Sequence, residues 1–224
     1  MSGHALPECH ADPLRVAAYS TCPSALWHER IAPLLAAPEM VMLNIGANKG
    51  YNLIEFLQRY TTTPANLTHA HWYSLLMEHG CAAQCCGVCA LCRAARVTQQ
   101  ASSKVHLHAF ELLPANARLL QTLVNLVGLP VSVHSTAVSN VSGTMHTVND
   151  VKPGTESVGL IRTQQGNNPR FVERPVTTID AFMDAHSVSR AHFVSIDTEG
   201  ARARTLSWEL RALGPLSSKG MTIL

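Results

Sequence analysis

At 224 residues, 46% of them hydrophobic and 14% charged, the chain is sized for one domain that hides roughly 70% of its unfolded surface, and wholesale disorder is excluded. Seventeen Lys and Arg against fifteen Asp and Glu leave a net charge of +2, which argues against a nucleic-acid polyelectrolyte or a protein held on an anionic membrane. The most apolar early stretch, residues 31–43, is interrupted by Pro33, Pro38 and Glu39 and is too short for a membrane span of about 20 residues.

Residues 1–38 are Pro- and Ala-rich and read as a lead-in with one or two short helices. They lack a basic segment followed by an apolar one, so no secretory signal is expected and a cytoplasmic location is the default. Residues 39–50, EMVMLNIGANKG, form an apolar run that stops in a glycine-containing turn. Residues 51–60, YNLIEFLQRY, cluster apolar positions as a helix does. The reading is strand, tight turn, helix. The next strand, residues 105–110, arrives only after an insert spanning 61–103. Residues 114–127, PANARLLQTLVNLV, predict a second helix with Leu119, Leu120, Leu123, Val124 and Val127 on one face and Gly128 just past its end. Residues 131–138 predict a third strand and the polar, glycine-bearing stretch after it a hairpin and loop. A helix is expected within 176–185, and a short apolar strand over 192–196, ending at Asp197. Strands alternating with helices suggest a parallel sheet, whose ligand sits outside the carboxyl ends of the strands.

Three of those strand ends carry chemistry. In residues 44–50, NIGANKG, Gly46 suits a tight turn with a ligand close to the backbone, Gly50 permits close helix–strand packing, and the helix start offers N–H groups to an anion. The turn is not G-x-G-x-x-G, which makes a pyrophosphate dinucleotide a poorer fit and disfavours a nicotinamide oxidoreductase. Glu111 ends the second strand, where an acidic group can accept from both ribose hydroxyls of a nucleoside; an ordinary solvated glutamate is the competing reading. Asp197 and Glu199 end the last strand as candidates to orient or deprotonate a substrate hydroxyl, with His192 a third choice. Glu199 reads equally well as a helix cap.

The blocks NIGANKG, HAFELLPANARLL, STAVSNVSG, VTTIDAFM and FVSIDTEGA, in that order over about residues 40–206, resemble the FkbM family of S-adenosylmethionine-dependent methyltransferases. The resemblance implies a Rossmann-like class I methyltransferase sheet in an α/β domain covering 39–224, with S-adenosyl-L-methionine as cofactor. It implies O-methylation of a small-molecule or sugar hydroxyl; from the charge and the lack of a membrane span, no nucleic-acid or membrane partner is expected. By the resemblance, Gly46, Ala47, Asn48 and Gly50 line the cofactor turn, Glu111 holds the ribose, Ala137 and Val138 lie near the adenine, and Asp197 faces the reacting end. Asn44 stands where the family usually carries an acidic residue at the cofactor's ammonium group, and Arg202 replaces a usual glutamate. The chain stops at residues 221–224, MTIL, which resemble the start of a further strand. The sheet is therefore expected to lack its last strands, leaving the strand at 192–196 as an edge prone to self-association. The alternative function is a truncated, non-catalytic cofactor-binding, metal-binding or partner-binding module.

Five of the seven cysteines lie between Cys81 and Cys92, crowded in a way that favours a reducing compartment over a disulfide framework. Cys86-x-x-Cys89-x-x-Cys92 has chelate-like spacing, and redox chemistry is a further possibility. Positions 81, 85, 89 and 92 also follow one stripe of a helix expected over residues 75–96, where free cysteine packs as a small hydrophobe. The packing reading is preferred, and no metal ligand is assigned.

Overall fold

A computed structural model describes residues 39–61, 67–81, 104–148, 151–155 and 171–198. In chain order the elements are β1 (Glu39–Ile45), α1 (Tyr51–Tyr60), α2 (His69–Glu78), β2 (Lys104–Phe110), α3 (Pro114–Val127), β3 (Val131–His134), β4 (Ala137–Val138), β5 (Gly143–Val148), β6 (Phe171–Thr177), α4 (Ile179–Ala185) and β7 (Phe193–Ile196). The expected α/β architecture with a parallel sheet is present: β3, β2, β1 and β7 lie side by side in that order, all parallel. A smaller sheet places β6 between β4, which is parallel to it, and β5, which is antiparallel.

β1 is buried along almost its whole length because helices cover both of its faces. Met40 and Met42 point into a core built with Leu53, Ile54, Phe56 and Leu57 of α1, Trp72, Leu75 and Leu76 of α2, and Leu119, Leu120, Leu123 and Val124 of α3. Leu43 and Ile45 point the other way, onto Ile179, Phe182 and Met183 of α4. The chain thus steps from β1 to β2 to β3 with its helices on one face. It then comes back to the far side of β1 through α4 on the other face. Strand order reverses between β1 and β7, and that is where an open parallel sheet leaves a crevice at its carboxyl edge.

Two expectations need correction. Residues 131–138 are not one strand. Ser135 and Thr136 leave the ladder, and Ala137 and Val138 pair with Val176 and Thr177 in the second sheet, where the Thr136 hydroxyl also donates to the Pro175 carbonyl at 2.9 Å. Nor does a helix run on from residue 75 through Cys81. α2 ends at Glu78, and Gly80, at φ 83°, turns the chain. The Gly80 N–H donates to Met77 O and the Cys81 N–H to Leu76 O, a Schellman stop. Cys81 is buried in the main core instead. Cys85, Cys86, Cys89 and Cys92 lie outside the described residues.

α2 falls within the stretch expected as an insert, yet Trp72 is fully buried in the main core and its indole N–H donates to Lys49 O at 2.7 Å. That bond ties α2 directly to the glycine turn. The polar stretch after β4 does form antiparallel strands, with β5 registered on β6 from Gly143↔Val176 to Val148↔Phe171. α4 starts where the double threonine suggested, the Thr178 hydroxyl capping it by accepting from the Ala181 N–H at 3.1 Å. Among the described residues no helix is long and apolar enough to cross a membrane.

Candidate active site

The carboxyl ends of β1, β2 and β7 meet at the turn over residues 46–50. Gly46 has φ 79°, and a Cβ there would stand 2.0 Å from the Asp197 carbonyl oxygen. No other residue fits, so the turn tucks directly against the end of β7. The Gly46 and Ala47 N–H groups both donate to Phe110 O, at 3.0 and 2.9 Å, and the Gly50 N–H to Ala47 O at 2.7 Å. Asn48, itself at φ 45°, donates its N–H to Oε2 of Glu111 at 2.7 Å. These four turn N–H groups are engaged within the protein; the donors expected to face an anion are those of the helix start after Gly50. Sequence shows glycines before a helix; it does not show the carbonyl and carboxylate that the fold brings up to them.

Glu111 follows β2 directly and is only 5% exposed. Its Oε1 accepts from the Leu113 N–H at 2.8 Å, and its own N–H donates to His134 O at 3.0 Å. Burial pushes the carboxyl pKa up, while the hydrogen bonds from Leu113, Asn48 and the Asn116 side chain pull it back down. Each carboxylate oxygen has two lone-pair directions, so the donors present leave acceptor capacity for a ligand hydroxyl.

Asn44 sits two residues before Gly46, in register with Ala109 and Ser195, and is fully buried. Neither its amide nitrogen nor its amide oxygen has a hydrogen-bond partner among the described residues, and the same holds for Asn48 Oδ1 and Thr198 Oγ1. A buried polar group left unpaired costs about 1–3 kcal/mol, so this many together mark a place where something polar belongs. Beside them the Asn52 amide meets the Ser195 hydroxyl at 3.5 Å.

Asp197 is exposed at the end of β7, its N–H donating to Ile45 O at 2.9 Å. Glu199 and Arg202 lie outside the described residues. His192 is not at this edge: it pairs with Val41, its N–H donating to Val41 O at 2.8 Å and its Nδ1 accepting from the Val41 N–H at 3.0 Å. Five residues of strand, about 16 Å, separate it from Asp197, and its ring is spent holding β7 to β1. Ala137 and Val138 are buried on opposite faces of β4, Ala137 against Met145 and Val176, Val138 on the α4 side of the core.

A family model, the methyltransferase FkbM domain, matches residues 44–210, most of the chain and all of the site above. The chain belongs to the FkbM methyltransferase family. No curated protein and no solved structure gives a significant match. The mixed α/β fold with its parallel sheet is the kind of scaffold an FkbM methyltransferase needs, and the family's first matched residue is Asn44 itself.

Sequence reasoning missed Asn116, which is 1% exposed. Its Oδ1 accepts from the Gly154 N–H at 2.7 Å and its Nδ2 donates to Thr155 O at 2.9 Å. The docked segment is a tight turn closed by the Thr155 N–H donating to Lys152 O at 3.1 Å, with Gly154 at φ 88°. The Pro153-Gly154 dipeptide signals such a turn, but nothing local says that it lands on α3.

Proposed function

We propose that this FkbM methyltransferase uses S-adenosyl-L-methionine to methylate a hydroxyl oxygen of a small molecule or sugar. The observation that carries the reading is the buried Glu111 carboxylate at the crevice, anchored by two backbone N–H groups. An ionised carboxylate fixed at the end of the second parallel strand suits the vicinal hydroxyls of a ribose. Gly46, Ala47, Asn48 and Gly50 would form the wall beside it, with Gly46 leaving the approach free of a side chain. Asn44 fits the methionine end: its unpaired amide offers one donor group and one acceptor, matching an amino-carboxylate, which presents both. The backbone edge at Ala137 and Val138 would face the adenine, since their side chains are spent on packing.

When bound, the cofactor supplies a sulfonium methyl, a strong electrophile. The chain's share is alignment and proton acceptance. Asp197 is the first candidate to orient the acceptor hydroxyl and take its proton, because it is exposed beside the Gly46 turn; Glu199 is the second. The test is transfer of radiolabelled methyl from S-adenosylmethionine to a panel of hydroxylated acceptors, sugars included. Label in an acceptor, reduced at least a hundredfold by Asp197→Asn, supports the reading. Cofactor binding with no transfer to any hydroxyl, or transfer only to nitrogen or carbon, contradicts it.

A further inference from the structure

Residues 151–155, VKPGT, form a tight turn closed on itself: the Thr155 N–H donates to Lys152 O at 3.1 Å, and the Thr155 hydroxyl donates to the same carbonyl at 2.6 Å. One side chain ties it down. Asn116 Oδ1 accepts from the Gly154 N–H at 2.7 Å and its Nδ2 donates to Thr155 O at 2.9 Å, a paired contact like one rung of a sheet. Among the described residues these two are the hydrogen bonds that join the turn to the rest of the domain. Asparagine is a poor helix former, and α3 has no side-chain cap. A buried amide that commits both of its polar atoms to a segment 38 residues away therefore serves the turn and not its own helix.

The contact stands beside the carboxylate at the crevice. Leu113 precedes the first residue of α3, and its N–H donates to Glu111 Oε1 at 2.8 Å. Asn116 follows three residues on, a spacing that leaves two residues about 5–6 Å apart on one side of a helix. Gly154, one hydrogen bond beyond the amide, thus lies within about 10 Å of Leu113 and the carboxylate it holds.

We propose that the Lys152–Thr155 turn is a cover over the nucleoside end of the crevice and that Asn116 is its latch, a positioning residue. This rests on the cofactor role of Glu111 given above. Two hydrogen bonds on one side chain form a contact that opens and recloses, because water replaces each bond as it breaks. Pro153 and Gly154, the latter at φ 88°, fix the shape of the turn, so it moves as a unit. Closed, it takes water away from the ribose and adenine and strengthens the polar contacts beneath it. Open, it lets the ligand in and out. The methionine end, assigned above to Asn44 on β1, is one strand further from the latch than Glu111 on β2.

The test uses the full chain and two ligands, S-adenosylhomocysteine and 5′-methylthioadenosine, which share the nucleoside and differ in the amino-acid end. Hydrogen–deuterium exchange in wild-type protein is expected to slow at the 151–155 amides with either ligand. Asn116→Ala is expected to abolish that protection and, by calorimetry, to weaken both ligands by the same factor, about tenfold. Gly154→Pro removes the N–H from the turn's side and leaves α3 intact; it is expected to act the same way, and it decides the matter where Asn116→Ala does not fold. A lower denaturation midpoint with both dissociation constants unmoved would make Asn116 a structural tie alone and overturn the cover. So would wild-type exchange in the turn indifferent to both ligands, or a loss confined to S-adenosylhomocysteine. Wild-type protein that binds neither ligand would refute the cofactor role of Glu111, and the cover with it; binding lost in Glu111→Ala but kept in both turn variants would refute the cover alone.

Discussion

Gly46 and Gly80 have nearly the same backbone conformation, φ 79° and 83°, but different surroundings. A Cβ at Gly80 meets nothing within 4 Å, whereas one at Gly46 meets the Asp197 carbonyl at 2.0 Å. Gly80→Ala is expected to cost about 1 kcal/mol, the strain of a left-handed residue alone. Gly46→Ala adds a clash with backbone that cannot swing aside, so its cost should exceed 2 kcal/mol, about twice that or more; urea denaturation of both variants measures the difference. At Glu111 the sign of the pH effect follows from its raised pKa. The protonated carboxyl donates one bond and accepts poorly, so affinity for S-adenosylhomocysteine is expected to rise with pH through that pKa. Without cofactor the same shift works the other way: the folded state favours the protonated form, and stability is full below the ordinary carboxylate range and declines as pH climbs. Glu111→Ala should lose about 1.5–3 kcal/mol of binding, ten- to hundredfold, and flatten the pH dependence; titrations at three pH values check both. Gly46 and Glu111 were legible in the sequence because position alone marks them, a glycine and an acid just past apolar runs. Asn44 was legible only as a departure from a family pattern; its burial and unpaired amide are products of the fold.

Elements were read well wherever their pattern is local. α3 announces itself by Pro114 at its start, its leucine face and Gly128 at its end. The split at Ser135-Thr136 was not readable, since the partners that draw Ala137 and Val138 away are almost forty residues distant. The end of α2 was masked by cysteine spacing that continues the helical stripe, although Gly80 held the signal. The same Schellman geometry closes α4, with the Ser187 N–H on Asp184 O and the Val188 N–H on Met183 O. There a serine at φ 55° stands where glycine is favoured. Ser187→Gly is expected to stabilise the protein by about 0.5–1 kcal/mol, read as a rise in the denaturation midpoint. Between β2, β3 and α4, His108 and His134 meet at 3.2 Å among Phe110, Phe182 and His186. Burial, then the neighbouring His134, His186 and His106, depress His108 to about 4, and burial with His186 lowers His134. Both rings are neutral in the fold but ionise near 6.5 when unfolded. Stability is therefore full above about pH 6.5 and falls as the pH drops toward 4. For half-buried rings, screened by solvent, the loss is about 1–2 kcal/mol. His108→Phe should flatten this acid limb in denaturation curves recorded from pH 7.5 to 4.5.

Taken together, the unpaired amide of Asn44, Asn48 Oδ1, Thr198 Oγ1 and the buried Glu111 carboxylate lie, among the described residues, at the carboxyl edge of a parallel sheet, where strand order reverses between β1 and β7. The order of strands along the chain was visible in the alternation of apolar runs and helices. The smaller sheet was foreshadowed only as a hairpin and loop, because β5 and β6 are polar on their outer positions and separated by a long connection. Trp72 shows the same limit at the scale of the domain. Nothing near residue 72 says that it will be, among the described residues, the largest side chain fully buried in the core, so Trp72→Ala is expected to cost about 3–5 kcal/mol, far more than a change in a peripheral insert. The location of the cofactor is the claim on which the functional reading turns. Hydrogen–deuterium exchange with and without saturating S-adenosylhomocysteine tests it most directly. Slower exchange is expected in peptides covering residues 44–52 and 110–118, and at 134–138, with Glu111→Ala abolishing most of it. Protection confined to segments away from these strand ends, or none at a ligand concentration where calorimetry shows binding, would contradict the assignment of this edge as the cofactor site.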